Sequence, residues 1–306
     1  MKILKGEKVL LGPSTFAAID QLPLDCLTAT GCEIVDNPYK RKLTKPELID
    51  LLSKGITGVI AGLEPFDREV LERSKLKVIS RCGSGLSNVD LTAAKELDIA
   101  VCFTPDGPTS AVAELTIGAM LGLLRMIPLM DKDLHQGNWA KQIGMQLEQK
   151  TVAVIGWGRI GKKVASLLAP FKVRLLAVDP FIHDTSDENQ IVSLDEALSR
   201  ADIITVHASG EDCIIGEQEF GLMKTGAYLL NAARGGLIDE VALFSAIKEG
   251  KIRGAWLDTF DQEPYSGQLT ELPQVILTPH VGSYTVECRK SMETEAVENL
   301  ITAMSN

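Results

Sequence analysis

The chain has 306 residues, about twice the length of a typical domain, so we expect two domains. Hydrophobic residues make up 45% and charged residues 24% of the sequence, which excludes disorder as the main state. The formal net charge of −10 leaves no basic surplus to neutralise a nucleic-acid backbone or an anionic membrane. The composition therefore predicts neither nucleic acid nor a membrane as a partner.

The N-terminus and the cysteines favour a cytoplasmic protein. Met1–Lys8 carries charges where a signal peptide requires an apolar core. The longest apolar stretch, residues 111–130, is interrupted by Glu114, Arg125 and Pro128, which a membrane span would not accommodate. The six cysteines include no C-x-x-C pair and no metal-like spacing. We therefore expect free thiols, no metal site and cytoplasmic localisation.

Short apolar runs alternate with helical patterns along the first third of the chain. The runs predict strands over residues 8–11, 58–61, 77–80 and 99–102, with helices around 45–53, 67–73 and 90–97. Strands that are apolar throughout and separated by helices favour a parallel sheet that is covered on both faces.

The same alternation restarts at residue 151. The predicted strands span residues 151–155, 173–178, 202–206, 227–231 and 253–257. Between the two series, a single helix is predicted over Thr109–Met130, with Thr109 or Ser110 as its N-cap. A last helix, Tyr284–Met304, would make the first domain discontinuous if it folds back onto it. The predicted fold class is α/β, with two doubly wound parallel sheets in tandem.

A glycine-rich turn follows the strand at residues 151–155. Gly156, Gly158 and Gly161 form a G-x-G-x-x-G motif between this strand and a predicted helix, the context that a dinucleotide site requires. The three glycines permit a tight turn, close approach of a pyrophosphate and helix–strand packing, respectively. Asp179 ends the next strand, 18 positions after Gly161, where an acid suits the adenosine ribose. A carboxylate there would repel a 2′-phosphate, so the pattern favours NAD over NADP.

Three ionisable residues lie at the ends of later predicted strands: Arg234, Glu263 and His280. Open α/β sheets place their sites at this edge. Hydride transfer to a carbonyl needs a proton donor and a cation that polarises the oxygen. A histidine paired with a carboxylate supplies the first, and a guanidinium supplies the second and also binds carboxylates. Together these residues predict a carbonyl-reducing dehydrogenase.

Because it has these motifs, the sequence resembles the family of D-isomer-specific 2-hydroxyacid dehydrogenases. Within that family it is most similar to the phosphoglycerate dehydrogenase branch. The resemblance runs over nearly the whole chain. Its most specific segments are residues 81–90, 104–105, 112–115, 156–161, 231–239, 258–264 and 278–283.

The resemblance implies a particular architecture. A Rossmann NAD-binding domain of residues 103–283 would be inserted into a flavodoxin-like substrate domain of residues 1–102 and 284–306. It also implies a homodimer formed through the nucleotide domain, which would bury the predicted helix at 109–130.

The resemblance also implies roles for individual residues. His280 is the proton donor in reduction and the base in oxidation, Glu263 is its partner, and Arg234 anchors the substrate. The substrate, a small 2-hydroxy or 2-oxo acid, would meet Arg81, Gly83, Ser84 and Gly85. The cofactor NAD would meet Gly156, Gly158, Arg159, Ile160, Gly161, Asp179, Ala208, Ala232, Ala233, Asp258 and Gly282.

Three departures from the family pattern bear on cofactor and substrate. Ser87 replaces a frequent Asp, and His207-Ala208-Ser209-Gly210 replaces a His-x-Pro loop near the adenine. Glu64 is the charged residue of a loop in which phosphoglycerate dehydrogenases commonly have a phosphate-binding Arg. Arg81, the basic run at residues 40–42 or a residue of a second subunit are alternative phosphate ligands.

The sequence thus predicts an NAD-dependent interconversion of a D-2-hydroxy acid and its 2-oxo acid. The first candidate substrate is 3-phosphoglycerate, and the second is hydroxypyruvate or glyoxylate. An NAD-sensing, corepressor-like binding protein is an alternative of another class. Formate dehydrogenases pair their histidine with glutamine, so Glu263 disfavours them. Because the sequence stops at Asn306, soon after its last predicted helix, we expect neither a corepressor's long tail nor an appended regulatory domain.

Overall fold

The computed structural model describes residues 3–182, 190–210 and 212–305. The chain divides into two compact units, Met1–Pro108 with Ser283–Asn306 and Thr109–Gly282. The boundaries predicted from the sequence fall after residues 102 and 283.

Twelve strands lie in the described part of the chain, and their bounds are as follows. They are β1 Lys8–Leu11, β2 Glu33–Asp36, β3 Gly58–Ala61, β4 Val78–Arg81, β5 Ala100–Phe103, β6 Thr151–Ile155, β7 Arg174–Val178, β8 Gln190–Ile191, β9 Ile203–Val206, β10 Ala227–Asn231, β11 Ile252–Leu257 and β12 Val275–Leu277.

Eleven α-helices lie in the same described residues. They are α1 Leu22–Thr28, α2 Lys45–Leu52, α3 Arg68–Glu72, α4 Leu91–Glu96, α5 Pro108–Leu124, α6 Ile127–His135, α7 Arg159–Leu168, α8 Leu194–Arg200, α9 Glu217–Leu222, α10 Glu240–Lys248 and α11 Val286–Met304. Several begin at a side chain that accepts a backbone N–H bond, as Asp90 does at α4 and Asp239 at α10.

Each unit has one parallel sheet. The first has the strand order β2-β1-β3-β4-β5, which is the flavodoxin-like order. The second has the order β12-β11-β10-β9-β6-β7-β8, which is the Rossmann order extended by one strand. The central strands β3, β4, β6, β9 and β10 are buried at every residue. The predicted α/β fold class, with two doubly wound parallel sheets, is confirmed.

The single helix predicted over Thr109–Met130 is wrong. The segment forms α5 and α6, which meet at a bend of 65°. Met126, between the two helices, adopts a left-handed backbone with φ of 51°. Pro128 lies in the first turn of α6, and a helix accommodates proline well only in that turn. Thr109 and Ser110 lie inside α5, which begins at Pro108, so neither is its N-cap.

Among the residues with described structure, no single helix is long and apolar enough to cross a membrane. The helices α5 and α6 taken together have that length and composition, but they are bent by 65° at the break between them.

The last helix, α11, packs against the sheet of the first unit. Ser80 Oγ in β4 donates to the carbonyl oxygen of Ala296 at 2.7 Å. The same helix holds the loop after β1 through a buried ion pair: Glu293 accepts the N–H of Ala17 at 2.9 Å, and Arg289 Nη2 donates to Thr15 Oγ1 at 3.0 Å. These contacts complete the first unit across a large sequence separation.

Candidate dinucleotide-binding and catalytic site

The three glycines of the turn after β6 have different surroundings. A Cβ on Gly156, whose φ is +94°, would lie 2.4 Å from the N of Ala208, and one on Gly161 would lie 2.0 Å from the carbonyl oxygen of Gly156. A Cβ on Gly158 would meet nothing within 4 Å. Contacts within the protein therefore require two of the glycines. Gly158 leaves open space in front of α7.

The N-terminus of α7 faces this open space. Gly158 is its N-cap and provides no side-chain cap, so the first-turn N–H groups are available to a ligand. These groups and the helix dipole favour a phosphate at this position. The turn thus has the features that a dinucleotide pyrophosphate requires, with Arg159 and Ile160 as the first helical residues.

Asp179 lies directly after β7, beside the glycine turn. Its Oδ2 accepts the N–H of Trp157 at 2.8 Å, and its Oδ1 accepts the N–H of Phe181 at 2.9 Å. Each carboxylate oxygen keeps a second lone pair that can accept a ribose hydroxyl. The carboxylate is therefore next to the phosphate site, where the sequence predicts a ribose ligand.

The loop that carries Arg234 is held by a side chain that the sequence analysis missed. Asn231, the last residue of β10, is 1% exposed. Its Nδ2 donates to the carbonyl oxygen of Arg234 at 2.9 Å, and its Oδ1 accepts the N–H of Ala233 at 3.0 Å. This double hydrogen bond fixes the turn that includes Ala232. The signal available in the sequence was a polar residue at the end of an otherwise apolar strand.

The Arg234 side chain is half-buried at the carboxyl end of β10, and its Nη1 donates to the carbonyl oxygen of Ala233 at 2.7 Å. Burial lowers the pKa of Arg234, and the nearby carboxylate of Glu263 opposes that change. Since a guanidinium stays protonated in proteins, Arg234 provides a fixed cation.

His280 and Glu263 form a close pair. The imidazole Nδ1 lies 3.0 Å from each carboxylate oxygen of Glu263, and both side chains are about one-third exposed. Glu263 Oε1 also accepts the N–H of Phe260 at 3.2 Å, which fixes the carboxylate. The pairing occupies Nδ1 and leaves Nε2 for proton exchange with a ligand.

Asp258 holds the loop that carries His280. It is 1% exposed and follows β11. Its Oδ1 accepts from the N–H of Val281 at 2.9 Å and from Thr278 Oγ1 at 2.6 Å, and its Oδ2 accepts the N–H of Gly282 at 2.8 Å. Asn231 and Asp258 thus play parallel roles at the ends of neighbouring strands, each securing the loop of one ionisable residue.

The predicted substrate residues Arg81, Gly83, Ser84 and Gly85 lie at the end of β4 and in the loop after it, in the first unit. The N–H of Gly83 donates to Thr104 Oγ1 at 2.7 Å. Arg81 is 8% exposed and donates to the carbonyl oxygen of Cys82. The structure therefore brings Arg234, Glu263 and His280 together in the second unit. The four predicted substrate residues lie together in the first unit.

Glu64 is buried in the loop after β3, with 2% of its surface exposed. Its Oε2 accepts the N–H of Gly62 at 2.6 Å, and Asn88 Nδ2 donates to its carbonyl oxygen at 2.7 Å. Burial raises the pKa of the Glu64 carboxyl, with smaller opposing effects from backbone hydrogen bonds and from Arg81. The acidic side chain thus lies inside the loop, at the carboxyl edge of the first sheet.

In the ranges with described structure, no three His, Cys, Asp or Glu residues form a group that could hold a metal ion.

Comparison with known proteins defines the class of this fold and site. The family profile described as "D-isomer specific 2-hydroxyacid dehydrogenase, NAD binding domain" matches residues 117–282. The chain belongs to this family and carries its NAD-binding domain, as the sequence analysis predicts.

Individual relatives narrow the comparison. The chain is 41% identical over 269 residues to a D-3-phosphoglycerate dehydrogenase of Methanocaldococcus jannaschii, covering 84% of this chain and 51% of that one. It is 35% identical to a hydroxypyruvate reductase of Thermotoga maritima, over 84% of this chain and 88% of the reductase. A crystal structure of a glyoxylate reductase from Paecilomyes thermophila superposes with a TM-score of 0.87 at 28% identity. The superposition covers 97% of this chain and 95% of the reductase.

The chain spans about half the length of the D-3-phosphoglycerate dehydrogenases that it matches, between 51% and 56%.

Proposed function

We propose that this protein is an NAD-dependent oxidoreductase that interconverts a D-2-hydroxy acid and its 2-oxo acid. The pairing of His280 with Glu263 is the observation that carries the proposal, because it orients a proton donor in the unit that holds the dinucleotide motif. Family membership supports the same reaction class.

The chemistry divides between two side chains. When bound, NADH supplies the hydride for the carbonyl carbon. Arg234 holds the substrate carboxylate and polarises the carbonyl oxygen through its N–H donors. His280 donates the Nε2 proton to that oxygen, and Glu263 holds the ring in position for the transfer through Nδ1. In the oxidative direction, neutral His280 accepts the hydroxyl proton.

The remaining residues predicted from the sequence belong to the same proposal. Asp179 would accept hydrogen bonds from the adenosine ribose and disfavour a 2′-phosphate, which supports NAD over NADP. Ser84 and Gly85 would bind the substrate carboxylate through their backbone N–H groups, supported by their place at the carboxyl edge of the first sheet. Gly83, whose N–H is bonded to Thr104 Oγ1, would only shape that turn.

The first candidate substrate is 3-phosphoglycerate with its oxo acid, 3-phosphohydroxypyruvate. The 41% identity to a D-3-phosphoglycerate dehydrogenase supports it. The second candidate is hydroxypyruvate or glyoxylate, which two observations favour. Glu64 lies in the loop after β3, where phosphoglycerate dehydrogenases commonly have a phosphate-binding Arg. The chain also spans 88% of the length of a hydroxypyruvate reductase.

The test is NADH oxidation, followed at the nicotinamide absorbance, with 3-phosphohydroxypyruvate, hydroxypyruvate, glyoxylate and pyruvate in parallel. His280→Ala serves as the inactive control. Preference for the phosphorylated acid by orders of magnitude would support the first candidate, and preference for an unphosphorylated acid the second. Binding of NADH without reduction of any acid would overturn the enzymatic proposal in favour of an NAD-sensing protein.

We further propose a homodimer formed through the second unit. Four large apolar side chains of that unit are exposed within a short segment: Ile127 (53%), Leu134 (56%), Trp139 (81%) and Ile143 (89%). Several large apolar side chains exposed within one short segment are typical of an interface. Sedimentation of Trp139→Glu should shift the mass toward the monomer, whereas Ile19→Asp in the first unit should not. A monomeric wild type would contradict the proposal.

A further inference from the structure

His207 is a polar residue of the second unit to which the proposed reaction gives no role. It directly follows β9, and its backbone N–H donates to the carbonyl oxygen of Ile155 at 2.7 Å. A Cβ on Gly156 would lie 2.5 Å from the carbonyl carbon of His207. The residue therefore lies against the glycine turn, at the carboxyl edge where the pyrophosphate site is formed.

One ring nitrogen of His207 is satisfied and the other is not. Nε2 lies 2.9 Å from Thr205 Oγ1. Nδ1 is buried and has no hydrogen-bond partner among the described residues. Buried polar atoms are normally paired, so such an atom next to a ligand site indicates a group that the ligand satisfies.

The tautomer follows from Thr205, whose side chain is fully buried. Within the described structure, Nε2 is the one partner of its hydroxyl. If the hydroxyl only accepted a hydrogen bond, its own proton would be buried without a partner. The hydroxyl therefore donates to Nε2, and the proton of the neutral ring is on Nδ1. Burial lowers the pKa of His207 to about 4, so the ring is neutral at physiological pH.

We propose that His207 is a further cofactor-binding residue, whose Nδ1–H group donates to an oxygen of the pyrophosphate–ribose backbone of the bound dinucleotide. An N–H donor matches the phosphate and ribose oxygens, which are the acceptors nearest the glycine turn. The inference rests on the dinucleotide site of the proposed function and does not depend on the identity of the oxo acid.

The test measures NADH binding by quenching of tryptophan fluorescence, with no substrate present. His207→Leu should raise the dissociation constant about tenfold or more, because it removes the donor. His207→Asn places an amide N–H near the position of Nδ1 and should restore most of the affinity. His207→Gln places its amide near the position of Nε2 and should not. His135→Leu, at an exposed histidine of the same unit, is the matched control.

Two further measurements separate binding from a structural role. His207→Gln keeps an acceptor for the Thr205 hydroxyl and removes the Nδ1–H donor, so the melting temperature without ligand should stay nearly the same, while the increase caused by NADH becomes smaller. Nitrogen-15 spectra should show the Nδ1–H tautomer, with the His207 resonances shifted by NADH and by ADP-ribose.

An unchanged NADH dissociation constant in His207→Leu would overturn the inference, and so would an Nε2–H tautomer. Failure of every oxo acid to react would instead count against the proposed function, since NADH binding is measured independently of turnover.

Discussion

The Nδ1 atom of His280 lies 3.0 Å from both carboxylate oxygens of Glu263. This symmetrical contact keeps the imidazole in one orientation, because both carboxylate oxygens lie within hydrogen-bond distance of the same ring nitrogen. The ring therefore presents Nε2 as the atom that exchanges a proton.

His280→Ala should lower turnover by about 10²–10⁴, the usual contribution of a general acid. The NADH dissociation constant should stay nearly unchanged, because the dinucleotide motif lies in another part of the unit. Steady-state kinetics and fluorescence titration measure the two effects. Full turnover in the variant would contradict the assignment of His280.

Glu263→Gln should lower kcat for oxo-acid reduction about tenfold or more, because Nδ1 of His280 loses its two equivalent carboxylate contacts and the ring loses its fixed orientation. The NADH dissociation constant should change much less. Steady-state kinetics and fluorescence titration measure the two effects. Glu249→Gln, at an exposed carboxylate, is the control. An unchanged kcat in Glu263→Gln would contradict the positioning role of Glu263.

Asn231→Ala should loosen the loop that presents Arg234. We expect kcat/KM for the oxo acid to fall about tenfold or more, because two buried hydrogen bonds are lost. The NADH dissociation constant should also rise, but by less, because Ala232 and Ala233 of the same turn are predicted cofactor contacts. Asn299→Ala removes an exposed amide that donates to Phe103 and is the control. Equal losses in acid and NADH binding would indicate a general disruption of the unit.

Gly158→Ala and Gly161→Ala should separate ligand binding from folding. The added methyl at Gly158 meets open space, so the melting temperature should change little, but it should obstruct the pyrophosphate and weaken NADH binding. At Gly161 the methyl would lie 2.0 Å from a backbone oxygen and should destabilise the protein by about 1–3 kcal/mol. Calorimetry and NADH titration of both variants check this. Unaltered NADH affinity in Gly158→Ala would contradict the proposed phosphate position.

Glu64→Gln should change stability in a pH-dependent manner. The pKa of Glu64 in the folded protein is raised above its ordinary value of 4.5. The resulting stabilisation is complete below pH 4.5 and is lost as the pH rises through the folded-state pKa. The neutral variant avoids this loss, so its melting temperature should exceed that of the wild type by about 2–4 °C at pH 8 and by less at pH 4. A gap independent of pH would contradict the argument.

Much of the fold could be predicted because local patterns and tertiary structure agree. The apolar runs at β6 and β10 match the observed strands residue for residue, and the glycine turn lies between β6 and α7. The edge strand β2 was missed because it has only two apolar residues, between two charged ones, and is half-exposed. The bend at Met126 was missed because a left-handed methionine has no strong sequence signature.

The ionisable residues of the site could be predicted from residue types at strand ends, whereas their supports could not. Asn231 and Asp258 act through hydrogen bonds to backbone atoms of loops, and the sequence does not encode which N–H or carbonyl group lies within reach. The sequence predicts Asp258 as a cofactor ligand, and that role remains a prediction. His207 was noted only as part of an altered loop, because its unpaired nitrogen depends on the packing around it.

The chain order of the two units has a consequence for synthesis on the ribosome. The second unit is continuous from Thr109 to Gly282 and can fold as soon as it emerges. The first unit must wait for α11, since Ala17 and Ser80 bond to residues 276 and 216 positions later. Until then the sheet face that α11 covers is exposed to solvent. The N-terminal segment therefore completes its packing only after α11 has been synthesised.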